Sequence, residues 1–288
     1  MPAIFFAIIS YFGWGTGDVF GTAATRKIGP YSATLWYLIL QALIFGAFTF
    51  AFIPNLSSFS LSLFIFNIVL GVIGTAGLVA FYEGLRIGSA SLVGTISASF
   101  AALVVILSII FFKESITGQQ TLAIVTIFLG LIFSSLDFNE LKNRKVKVGK
   151  EIILSLVAMA CWAVYWTFIK IPIREVGWFW PGYINTVASV PALYLYIKFK
   201  KIKITNVNKH GAFLPVFFNA ALLSGGSLSF NYALQKGLAA VVAPIAGSYP
   251  TLFAVLAYIA FRDKITRVQL AGIIVTLLGI VILSATSA

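Results

Sequence analysis

Asp18 is the acidic residue that lies well inside an apolar stretch, about five positions past the middle of segment 3–23. A charge near a bilayer centre costs roughly 2.5–3.5 kcal/mol on insertion scales, so such a carboxylate is expected to face a cavity or a partner. Two chemistries suit it: carrying a proton, and pairing with an amine on a solute. The alternative is a shifted segment that leaves Asp18 near the interface, paired with Arg26 or a lysine. Trp14 on the same segment, with Trp162, Tyr165 and Trp166 on segment 151–171, could wall a ring or a cation. Helix packing would use the same rings, although Trp14 and Trp162 lie near mid-segment, away from the interfaces where tryptophan anchors.

A third group sits where helix signals are interrupted. Gly88, Gly94, Ser97 and Ser99 fall in segment 89–112 or at its edge, and Pro244, Gly247, Ser248, Tyr249 and Pro250 in segment 239–261. Breaks at corresponding places free backbone groups to meet a solute at mid-membrane; close packing through small residues would account for the glycines and serines alone. The two prolines favour the binding role for the later segment. Gln41, Asn67, Asn185, Asn219 and Asn231 complete the polar set, each able to line a path or to bond a neighbouring helix. The candidate binding residues are therefore Asp18, Trp14, Trp162, Trp166, Ser97, Ser99, Ser248, Tyr249 and Asn231, with Asp18 also the candidate for proton coupling. Glu83, three residues before Arg86, is expected in a local ion pair.

Other chemistries lack their residues. Cys161 and His210 are the only cysteine and histidine, which excludes a disulfide within the chain and a Cys/His metal cluster. The apolar segments hold no paired carboxylates, and no glycine loop cradles a phosphate, so neither an enzyme nor a cofactor is expected. No soluble domain of the kind a receptor or scaffold would carry is visible, and a channel would favour symmetric subunits.

The elements that must position these residues are apolar helices. Of the 288 residues 60% are hydrophobic and 10% charged, against roughly 25% charged in soluble domains. Stretches near the roughly 20 residues of a span run 3–23, 31–52, 61–83, 89–112, 118–136, 151–171, 178–198, 211–233, 239–261 and 267–286. Backbone in lipid must satisfy its own hydrogen bonds, so the expected fold is an all-α integral membrane protein of ten transmembrane helices. The first stretch has no Lys or Arg before Arg26 and is not expected to be a cleaved signal peptide. The net charge of +12 sits in loops without a recognition motif, and nucleic acid is not an expected partner. Sixteen of the 20 Lys and Arg follow the odd-numbered stretches, which places those loops in the cytoplasm and both termini outside.

The chain also repeats itself. At a shift of 149, Ile96–Leu103 falls on Ile245–Leu252, Phe112-Lys113-Glu114 on Phe261-Arg262-Asp263, Ile116-Thr117 on Ile265-Thr266, Gln120 on Gln269 and Gly130 on Gly279. A shift of 148 relates Trp14 to Trp162, Arg26 to Arg174 and Gly29 to Gly177. Matched charges and turns are not what chance similarity between greasy helices produces. The expected units are 1–136 and 151–288, joined by the basic loop 137–150. Five spans per unit is an odd number, so the repeat is inverted, the geometry of alternating access.

Tyr82 to Ser135 and Tyr232 to Ser284, with Phe12-Gly13-Trp14-Gly15 and Ala160-Cys161-Trp162-Ala163 opening the two units, resemble the drug/metabolite transporter superfamily, EamA type. The resemblance covers nearly the whole chain. It implies an inner-membrane (plasma-membrane) carrier of amino acids, sugars, nucleotide-linked metabolites or drugs, moving them by proton coupling, exchange or facilitated diffusion. It also implies termini in the cytoplasm, opposite to the charge count. Gly29-Pro30-Tyr31-Ser32 is similar to sugar-uptake relatives. The expected partners are a small-molecule solute (an amino acid or other amine, with a sugar as the alternative), the lipid bilayer and protons; a homodimer is compatible with the pattern.

Overall fold

Without water to bond to, a buried apolar segment closes its hydrogen bonds as a helix. In the computed structural model, which describes residues 1–52, 60–87, 90–135, 149–262 and 265–287, the described residues form helices and no strand. In chain order these are α1 (Pro2–Ile28), α2 (Pro30–Phe48), α3 (Leu61–Ile87), α4 (Ala90–Ala98), α5 (Phe100–Phe112), α6 (Gly118–Ser135), α7 (Lys150–Phe168), α8 (Lys170–Val176), α9 (Phe179–Phe199), α10 (Phe213–Lys236), α11 (Ala239–Gly247), α12 (Tyr249–Phe261) and α13 (Arg267–Thr286).

Among the described residues, seven stretches are long and apolar enough to cross a membrane: Pro2–Ile28, Pro30–Phe52, Leu61–Ile87, Lys150–Val176, Phe213–Lys236, Ala239–Phe261 and Arg267–Thr286. Ile96–Phe112 and Gly118–Ser134 are shorter apolar helices. Helix α9 has 21 residues and carries Asn185, Thr186 and Ser189 in its middle. Of the positions named from sequence, Gly88, Asp263 and most of the loop 137–150 lie outside the described residues.

Local devices recur at the spacing of the sequence repeat. Gly29 and Gly177 adopt φ of 80° and 82°, a region that Cβ disfavours, and turn the chain from α1 into α2 and from α8 into α9. Lys113 and Arg262 end α5 and α12 in the left-handed conformation, at φ 55° and 60°. Thr117 with Gln120, and Thr266 with Gln269, form reciprocal capping boxes with bonds of 2.9 and 3.2 Å in each. The α4/α5 break at Ser99 and the α11/α12 break at Ser248 also match. In each, the serine N–H donates three residues back and its carbonyl accepts from three residues on. Pro250, which has no N–H to offer, explains the second break.

Helix α1 runs along α10, α3 along α7, and α6 along α13. Small residues let them approach: a Cβ at Gly13 would stand 2.8 Å from the Cα of Gly226. At one end of the bundle, the turn from α10 to α11 meets the start of α1 through Gly237 and Ala3. At the other, Lys27 Nζ reaches the carbonyl of Gly211 at 3.0 Å, and Ser32 Oγ accepts from the Thr205 N–H at 3.0 Å.

Candidate functional site

A cavity of about 200 Å³ lies among α1, α2, α3, α5, α7, α9, α10 and α12. Six of the nine residues expected at a site line it: Trp14, Asp18, Trp162, Trp166, Asn231 and Tyr249. Among the described residues, Asp18 is the only charged one in that lining. Among the described residues, no side chain pairs with its carboxylate. Arg26 instead lays its guanidinium over the Phe261 ring, 4.2 Å from the centroid. Tyr37 and Tyr249 line the same cavity, and Tyr82, on α3, is held by a 2.6 Å hydrogen bond with Thr34.

The aromatic wall is continuous. Trp14 is 5.1 Å from Trp166, 5.2 Å from Phe230 and 5.7 Å from Tyr249, the last edge-on at 82°. Trp166 meets Tyr165 at 4.6 Å and Phe230 at 4.8 Å, both near perpendicular. The Trp14 Nε1–H is turned to Ser227 Oγ at 3.3 Å, which fixes the ring beside the cavity. Trp162 forms another part of the wall, 5.4 Å from Phe81 and 6.0 Å from Phe100.

Ser97, Ser99 and Ser248 stand outside the lining. Ser97 Oγ donates to the Ser155 carbonyl at 3.5 Å and Ser248 Oγ to the Pro244 carbonyl at 2.5 Å; Ser99 forms the break itself. The Ser97 hydroxyl thus ties its helix to α7, and the Ser248 hydroxyl takes up a carbonyl one turn back that the break leaves without its helical N–H. The amides divide as well. Asn67 and Asn219 donate to the carbonyls of Pro181 and Gly17 at 3.2 and 2.8 Å and hold helices together. Gln41, Asn185 and Asn231 line the cavity, the last donating to the Trp178 carbonyl at 3.2 Å.

Tyr37, Thr75, Thr186, Ser189 and Ser227 line the cavity without having been singled out in the sequence. The spacing Asn185, Thr186, Ser189 places polar side chains on neighbouring faces of one helix and is a signal that could have found two of them. Toward the end where α3 finishes, Glu83 Oε1 accepts from the hydroxyls of Tyr31 and Tyr196 at 2.7 and 3.1 Å, and Oε2 pairs with Arg86 at 2.8 Å. The expected local ion pair is thus part of a larger knot joining α2, α3 and α9. Among the described residues no three His, Cys, Asp or Glu side chains gather as metal ligands.

A bundle of long apolar helices around an acid in an aromatic-walled internal cavity is the build expected of a multi-pass membrane protein that binds a small molecule. A model of the EamA-like transporter family matches residues 1–136 and again 149–285, and the chain belongs to that family, within the drug/metabolite transporter superfamily. An uncharacterized protein of Methanocaldococcus jannaschii is 29% identical over 136 residues, which are 47% of this chain and 97% of that protein. A crystal structure 12% identical in sequence shares the fold, with a TM-score of 0.78 over 99% of this chain and 97% of that one.

Proposed function

We propose that this transporter is a secondary carrier of a small amine-bearing or cationic metabolite, working by alternating access in a scaffold of ten spans. Its halves, 1–136 and 151–288 joined by 137–150, are inverted copies that exchange conformations to open the cavity to either side. The observation that carries this is Asp18, without a pairing side chain among the described residues, in a cavity walled by residues of both halves, with Trp14 and Trp162 at matched positions. A carboxylate without a fixed counter-ion is ready for an ammonium group or a proton, and the Trp and Tyr faces suit a cation. One group taking either ligand couples them: the proton leaves as the amine binds.

A sugar is the second reading, favoured by Gln41, Thr75, Asn185 and Thr186 in the lining. It gives Asp18 no counter-charge, and the amine is therefore preferred. The basic odd-numbered loops are proposed to face the cytoplasm, with both termini outside.

The test is flux into proteoliposomes for amino acids, sugars and quaternary amines, with and without a pH gradient, in the parent and in Asp18→Asn. The reading expects amine flux driven by the gradient in the parent and uncoupled or lost in the variant. Gradient-driven flux that is equal in both proteins removes Asp18 from coupling.

A further inference from the structure

Outside the cavity the structure buries a second charged group, in the turn after α5. Glu114 and Lys170 are 6% and 3% exposed, and Lys170 Nζ lies 2.5 Å from Glu114 Oε1. The carboxylate also accepts from two backbone amides at the start of α11, Ala239 at 3.1 Å and Ala240 at 2.9 Å, where helix N–H groups lack internal partners. Lys170 Nζ donates in addition to the carbonyl of Gly237, which closes α10, at 2.8 Å. One ion pair therefore ties four pieces of chain at one end of the bundle: the α5–α6 turn, the start of α8, the end of α10 and the start of α11.

Three of those pieces belong to the second half of the sequence, and Glu114 to the first. A buried pair whose partners are separated strands two charges in an apolar place unless water enters with the separation. Water enters when this end of the cavity opens. The pair is thus stable in two situations only, closed and dry, or open and wet, which is the behaviour of a two-state element.

The repeat relates both members of the pair to residues of the other half. By the shift of 149, Glu114 corresponds to Asp263, and by the shift of 148, Lys170 corresponds to Thr22. The acid recurs at its matched position in the sequence, whereas the lysine's matched position holds a threonine.

We infer that Glu114 and Lys170 form the latch that keeps this end of the transporter closed. The inference rests on alternating access as proposed above, but not on the identity of the solute.

The test places one thiol in the cavity, Ser227→Cys in a Cys161→Ala background, and measures its labelling by a membrane-impermeant thiol reagent applied from either side of proteoliposomes. Adding the charge-removing pair Glu114→Gln/Lys170→Met should raise the labelling rate by about tenfold or more from one side and not from the other. Lys170→Gln, which keeps a donor, should raise it less. A folded variant of either kind, its thermal melting near the parent's, that is labelled at the parent rate from both sides overturns the latch.

A second arm leaves the latch intact. Trapping the cavity open by the thiol adduct of Ser227→Cys must speed hydrogen exchange at the Ala239 and Ala240 amides, because Glu114 lets go of them; unchanged exchange overturns the proposal. Increased labelling in the variants, with no amine flux in the parent, would retain the latch and remove the amine reading. Amine flux in the parent, with labelling unchanged in the variants, would do the reverse.

Discussion

Trp14 lies on Gly226 as Trp162 lies on Gly77: a Cβ on either glycine would stand 2.7 or 2.8 Å from the Cδ1 of its tryptophan. The glycines are 149 positions apart and the tryptophans 148, so each half supplies the opening tryptophan that rests on the third helix of the other. The same crossing recurs further out, where Arg174 lies 5.1 Å from the Phe112 ring and Arg26 lies 4.2 Å from the Phe261 ring. Matched contacts made in both directions support two copies of one unit closing on each other around the cavity.

These contacts set a stability prediction. Gly226→Ala and Gly77→Ala should each lower the melting temperature in detergent, because overfilling a packed contact costs about 1–3 kcal/mol. Gly225, one residue earlier on α10, has open space within 4 Å of where a Cβ would stand, so Gly225→Ala should stabilise by about 0.5–1 kcal/mol through helix propensity. Equal effects at positions 225 and 226 would show that Trp14 does not rest on the helix as described.

The aromatic wall sets a second. Trp166→Leu removes a ring that touches Trp14, Tyr165 and Phe230 and should raise the half-saturating concentration of a cationic solute. Loss of a cation–π contact in a desolvated place corresponds to about 2 kcal/mol, or roughly thirtyfold. A neutral polyol carried by the same protein should lose less. Equal losses for both solutes would place the ring in packing alone.

Orientation follows from the charges. Single cysteines at Asn143 or Lys201 should resist impermeant reagent added to intact cells, and one at Lys236 should react. The opposite pattern would reverse the proposed sidedness.

What the sequence made legible, and what it did not, divides along physical lines. Asp18, Trp14, Trp162 and the two helix breaks declare themselves because a charge, a large ring or a proline is costly or conspicuous within an apolar run. Ser97 and Ser248 stand in the right segments, but whether a hydroxyl turns to a solute or to a backbone carbonyl depends on rotamer and on what packs beside it: Ser97 meets the Ser155 carbonyl of α7, and Ser248 the Pro244 carbonyl one turn back. Tyr37 and Thr75 carry no such mark, and reach the cavity only because α2 and α3 rotate those faces inward. Glu114 reads as one residue of a polar turn. Its partner Lys170 is 56 positions away, and only the crossing of the two halves brings them together.

The central claim is that Asp18 couples solute to proton in a cavity served from both sides. It is tested most directly by solute-driven proton movement in proteoliposomes, read with an internal pH dye as an amine gradient is imposed. The account predicts a pH change opposing the amine flux in the parent, and amine movement without a pH change, or no movement, in Asp18→Asn. A pH change of the same size in Asp18→Asn would contradict it.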